Sequence, residues 1–243
     1  MAENTATAPA SQPVAGPKDG ILGMLSVFID PAATARRVTM RWFWVYPFVV
    51  MSAALILLQI VATPYRTRAT ELMLQEQGIT GQAAQERLAM MAKFAPVGWV
   101  VTPIITLVII ALSAWLVSVA ASIIDAGVRY AYLFSLASVM GMFYVLQTVA
   151  GILVLRSKSV DDITSMKDLQ APFGLDIFLH DLPKVLQGIA SFFSVFEIWA
   201  IIMYALTFAA LARTTKGKGF IATAPAWILG LLFAIVGAVL TPG

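Results

Sequence analysis

Residues Ser191 to Ala212 read SFFSVFEIWAIIMYALTFAALA, and Glu197 is the only charged residue among them. At about 1.5 Å per residue, a run of this length crosses a hydrocarbon core of about 30 Å as a helix. The alternating pattern of a membrane β-strand is absent. A carboxylate inside such a run costs about 3 kcal/mol or more unless it is neutralised, solvated or paired. One stretch thus points to the fold class and nominates a site.

Five runs of this kind occur: Trp42–Ala62, Val97–Ile124, Ala131–Leu155, Leu186–Ala212 and Phe220–Leu240. Glu197 is the only charge within their limits. Lipid offers backbone amides no partner, so the runs are expected to be helices. The expectation is an all-α integral membrane bundle of five transmembrane helices plus short interfacial helices. Composition agrees, with 60% hydrophobic and 12% charged residues. Soluble domains average about 25% charged.

The net charge of +3 is scattered, with no block of Lys and Arg. That argues against nucleic-acid binding and fits cations flanking membrane spans. The chain has no cysteine, which excludes disulfides, thiolate catalysis and cysteine-held metal centres. Residues 1–20 are rich in Ala, Pro, Ser and Thr and read as a disordered tail. The membrane domain is then 21–243.

Outward from the spans, Ile21 to Ile29 is apolar but too short to cross and reads as an interfacial helix. Asp30-Pro31 supplies an N-cap followed by Pro at the first helical position. Arg36, Arg37 and Arg41 then face anionic headgroups of the lipid bilayer. Trp42, Trp44 and Tyr46 follow as aromatic anchors. The connection Thr63–Pro96 reads as two helical pieces, ended by Gly78 and restarted by Thr80. In the second piece Leu88, Met91 and Phe94 form an apolar stripe. The six residues Asp125–Tyr130 make spans two and three antiparallel neighbours. The connection Arg156–Val185 is polar, then amphipathic.

Cations divide eight against eight between the two sides. Seven of the first set crowd into short stretches next to spans, on the side of the N-terminal segment. The positive-inside rule therefore puts the N-terminus in the cytoplasm.

Glu197 has three readings: a proton or cation site, a protonated hydrogen-bonded group, or a residue nearer an interface. No second ionisable residue lies inside another run, which argues against a relay and favours packing or capping. Asp125 and Arg129 stand i, i+4 and could pair if the helix continues; otherwise they are a helix cap and a basic anchor. His180, the only histidine, has no partners at metal-ligand spacing. Asp161-Asp162 lacks the third aspartate of a prenyl-transfer motif. Lys216-Gly217-Lys218-Gly219 is a basic turn rather than a phosphate loop. Ser113, Ser118 and Ser122 read as helix-packing residues. No nucleophile or metal motif emerges, so the expectation is a protein that is not an enzyme and has no cofactor.

The stretch Phe196-Glu197-Ile198-Trp199-Ala200-Ile201-Ile202, running to the basic segment Arg213–Gly219, resembles the bacterial branch of the Yip (Ypt-interacting protein) family. Phe28-Ile29-Asp30-Pro31, Trp44-Val45-Tyr46-Pro47 and Gly127-Val128-Arg129-Tyr130 are similar to other parts of its pattern. The likeness covers about Leu22 to Leu240. One departure is the absence of proline between Ala137 and Val149. The resemblance implies a five-span bundle with a cytoplasmic N-terminus and no catalytic residues. It also implies a role in organising membrane or partner proteins, among them other membrane proteins or a second copy. The alternative from the residues themselves is a small permease or channel component using Glu197.

Overall fold

The computed structural model describes residues 12–169, 173–179 and 182–240. Its described residues are helices and turns, with one isolated bridge between Val14 and Arg41. Two short helices, α1 (Pro17–Ser26) and α2 (Pro31–Arg37), precede α3 (Val45–Glu76), α4 (Gln82–Ile123) and α5 (Tyr130–Arg156). Three 3-10 turns lead to α6 (Lys184–Phe192), α7 (Val195–Ala212) and α8 (Lys216–Leu240). Five of these, α3, α4, α5, α7 and α8, are long and apolar enough to cross a membrane. The fold is an all-α membrane bundle.

Local chemistry explains the helix ends. Asp30 Oδ1 accepts the Ala33 amide at 2.8 Å and Pro31 opens α2, as the sequence indicates. Gly78 ends α3 at φ +75°, and the Ile79 amide turns back to the Leu74 carbonyl at 2.8 Å. The same device ends α4 at Asp125 (φ +55°), with the Ala126 amide on the Ala121 carbonyl, and α7 at Arg213 (φ +51°), with the Thr214 amide on the Ala209 carbonyl.

Several sequence boundaries are corrected. Helix α3 runs through Pro64 to Glu76, and α4 starts at Gln82, so both extend well past the spans inferred from hydropathy. Thr80 does not cap α4; Gly81 stands at that position. Lys216–Gly219 is the first turn of α8, not a loop. Residues 12–20, assigned to the tail, pack on the fold: the Ala15 amide donates to the Arg41 carbonyl and the Arg41 amide to the Pro13 carbonyl, each at 3.0 Å, and α1 begins at Pro17. Residues 1–11 of that tail lie outside the described residues.

The spans form a ring in the order α3, α4, α8, α7, α5 and back to α3, with α4 also touching α5 across it. Small residues set the closest approaches. Gly219 of α8 lies against the Ala205 carbonyl of α7, and Gly141 of α5 lies against Met51 of α3. The core lies toward the N-terminal segment and includes Val27, Val38, Phe43, Leu136 and Phe208, all fully buried. The turn between α1 and α2 reaches into the bundle, where Phe28 meets Phe143 at 4.9 Å and Trp199 at 5.7 Å.

Candidate functional site

The fourth apolar run is not one helix. It breaks at Phe193-Ser194 into α6 and α7. Ser194 is extended (φ −78°, ψ 161°), and its Oγ accepts the Glu197 amide at 3.1 Å. Ser194-Val195-Phe196-Glu197 is the Ser-x-x-Glu signature of a helix N-terminus, a signal in the sequence that hydropathy overrode. Half of that box forms here, because the Glu197 carboxylate does not return to the Ser194 amide. Irregular backbone inside a membrane bundle is tolerated where protein covers it. Ser194 is 1% exposed, which meets that condition.

The break lies deep. Trp199 packs on Phe143 at 5.3 Å, and Phe143 is the middle residue of α5. Helix α7 therefore begins near the mid-depth of the bundle. Helix α6 covers the remaining depth, with Gly188 against Ile235 in the second half of α8. Glu197 thus stands in the first turn of a helix and also far from either end of the bundle.

Glu197, Ala200, Ile201 and Tyr204 form one face of α7, spaced i, i+3, i+4, i+7. That face lines an open cavity of about 730 Å³ between α3, α4, α5, α6, α7 and α8. Its polar lining includes Gln59, Arg66, Thr102, Tyr144 and Gln147. Gln59 Nε2 donates to Thr102 Oγ1 and ties α3 to α4 at the wall. Tyr204 and Trp227 also line it, and the Tyr204 hydroxyl and Trp227 indole N–H are buried without a hydrogen-bond partner. Among the described residues the Glu197 carboxylate has no hydrogen-bond or ion-pair partner.

Arg66 corrects the sequence reading directly. Its position fell in the helical connection outside the apolar runs, so no second ionisable group was expected beside Glu197. Because α3 continues through Pro64, Arg66 reaches the same cavity wall and lies within electrostatic reach of Tyr144. It is exposed, at the rim of the cavity.

The other candidates fall elsewhere. Phe196 and Trp199 turn away from the cavity: Phe196 packs on Phe173 at 5.3 Å, and Trp199 Nε1 donates to the Phe28 carbonyl at 3.1 Å. Asp125 and Arg129 do not pair, because α4 ends before them; Asp125 is the left-handed terminating residue, and Arg129 Nη1 donates to Tyr132 Oη at 3.4 Å. Arg36 and Arg41 are exposed, and Arg41 lies over the Trp42 ring at 5.5 Å. Arg37 turns partly inward, with Nη1 donating to Ser26 Oγ and the Ala33 carbonyl at 3.3 Å each. Trp42 is exposed as an anchor would be, whereas Tyr46 donates inward to the Ala15 carbonyl at 3.2 Å. Ser113 lines the cavity, while Ser122 is exposed and bonds its own helix at Val119. His180 lies outside the described residues. Among those described, no cluster of three or more His, Cys, Asp or Glu is placed to hold a metal ion.

Comparison with known protein families, with curated proteins and with solved structures returns no match.

Proposed function

We propose that this multi-pass membrane protein takes a small solute into the bundle and passes it across the bilayer, as a permease or channel component using Glu197. The observation that carries this reading is Glu197 on the wall of a cavity of about 730 Å³, at mid-depth and without a protein partner. Ligand pockets fall in the range of about 300–1,000 Å³ and carry few, convergent polar groups. A broken helix at the cavity is a recurring way to place such groups in a membrane. The reading needs no nucleophile and no cofactor.

The test is flux. Wild-type protein in liposomes, assayed against a panel of inorganic and organic cations, gives flux above empty liposomes. Glu197→Gln abolishes it. A wild-type protein that moves none of the panel sinks the reading.

A second reading is the Yip-like one, in which the chain organises other membrane proteins or its own copies. It is favoured by the first five turns of α4, where Met90, Met91, Phe94 and Val97 stand exposed. The N-terminal segment would then lie in the cytoplasm beneath a bacterial plasma membrane. Crosslinking in native membranes distinguishes it, since recovery of a lone monomer counts against it.

A further inference from the structure

We infer that the cavity takes an organic cation, an amine or ammonium of drug-like size, with Glu197 as its counter-ion. This rests on reading the cavity as a solute site. It adds the sign of the charge and the chemical class.

The first argument is charge. Glu197 is the only acidic side chain on the wall, half-buried and without a partner. Helix α6 ends at Phe192 on the same wall, so the negative end of its dipole acts on the same space. The positive end of α7 is met within its own first turn, by Ser194 and by Glu197 itself. Arg66 is the one cation on the wall, and it is exposed about four turns along α3 from Met51, which meets Gly141 of α5, so it stands well away from the level of Glu197. An anion at mid-depth would be repelled by the carboxylate. A neutral solute would leave that half-buried carboxylate without a partner.

The second argument is the lining. Phe143, Tyr144, Phe192, Tyr204 and Trp227 come from four different helices and share this cavity with Glu197. Aromatic faces attract cations through the ring quadrupole, most strongly where water is excluded, and ammonium groups are the usual guests of such walls. The Tyr204 hydroxyl, on a side chain 9% exposed, has no protein partner and can accept from an ammonium N–H.

The third argument is size. Hard metal cations take six or more oxygen ligands in a tight shell. This wall offers one carboxylate, with its neutral amide and hydroxyl oxygens spread over α3, α4, α5, α6 and α7, in a space of about 730 Å³. An organic cation fills that space with apolar contact and needs only one charge opposite it.

Calorimetric titration of the purified full chain tests the assignment with three probes of one shape. Benzyltrimethylammonium is the cation, neopentylbenzene its uncharged carbon analogue and benzylsulfonate the anion. The cation is expected to bind at least tenfold tighter than either analogue. Glu197→Gln should weaken cation binding at least tenfold, whereas Glu197→Asp keeps the preference for the cation. Equal binding of cation and carbon analogue overturns the charge assignment and leaves the solute cavity standing. Undiminished cation binding by Glu197→Gln overturns it as well. If none of the three binds, the assignment fails, and absence of wild-type flux in liposomes then removes the cavity reading with it.

Discussion

Replacing Gly219 by Ala should destabilise the bundle, and the structure indicates by how much. A Cβ built on Gly219 lies 2.3 Å from the Ala205 carbonyl oxygen, 3.2 Å from its carbon and 3.1 Å from the Ala209 Cβ. The nearest atoms are backbone and cannot rotate away. An ordinary carbon–oxygen contact is about 3.3 Å or more, so α7 and α8 must part by about 1 Å. Overpacking of this kind costs about 1–3 kcal/mol. Removing a glycine from a helix returns up to about 1 kcal/mol, less in a first turn. The net expectation is a loss of about 1–2 kcal/mol. For a chain of this length that lowers Tm by roughly 2–8 °C. Gly217 is the internal control: it sits in the same turn of α8, and its Cβ would meet nothing within 4 Å. Gly217→Ala should leave Tm unchanged or slightly higher. Thermal unfolding of both variants in detergent, followed by circular dichroism, makes the comparison. A Gly219→Ala protein as stable as wild type would refute the close crossing of α7 and α8, and with it the position given to the Glu197 face.

Two further predictions concern the cap of α7 and the loop after α5. Ser194→Ala removes the acceptor of the Glu197 amide inside the bundle and should cost about 1–2 kcal/mol, the upper part of the range for a lost N-cap; an unchanged Tm would argue that α6 and α7 are not divided there. Asp168 Oδ2 accepts the Thr164 amide, the Thr164 hydroxyl and the Ser165 amide, each at 2.8 Å. The Thr164 backbone hydrogen bond first, then the other bonds and the Lys158 charge, hold its carboxyl below the usual carboxylate range against a smaller opposing effect of burial. A folded-state pKa below the unfolded value means that this turn's stabilisation is present at neutral pH and is lost as pH falls through the folded value. Amide protection factors at Thr164 and Ser165 should therefore drop in acid for wild type and be low and flat with pH for Asp168→Asn; identical profiles would sink the assignment.

The sequence by itself determined the membrane class and the five crossings, because apolar runs leave the backbone no partner but itself. It also determined the start of α2 at Asp30-Pro31 and the end of α3 at Gly78. These are local matters of side-chain oxygen, ring geometry and missing Cβ, written in consecutive residues. The break at Ser194 was written as well, in Ser-x-x-Glu, but an apolar run averages over a single capped turn. The status of Asp125 and Arg129 depended on whether α4 continued between them, which spacing alone cannot say.

Only the tertiary structure decided what Glu197 faces. Its depth depends on Trp199 meeting Phe143 across α5 and on α6 filling the remaining height beside α8. Its companion Arg66 joined the cavity because a helix ran through Pro64, where a proline by itself argues for a stop. The aromatic wall gathers residues from Phe143 to Trp227, far apart in the chain. Hydropathy and capping are sums over neighbours along the chain. A cavity is the space that helices leave where they do not touch, and here that space depends on how closely Gly219 lets α7 and α8 approach elsewhere and Gly141 lets α5 and α3 approach at its wall.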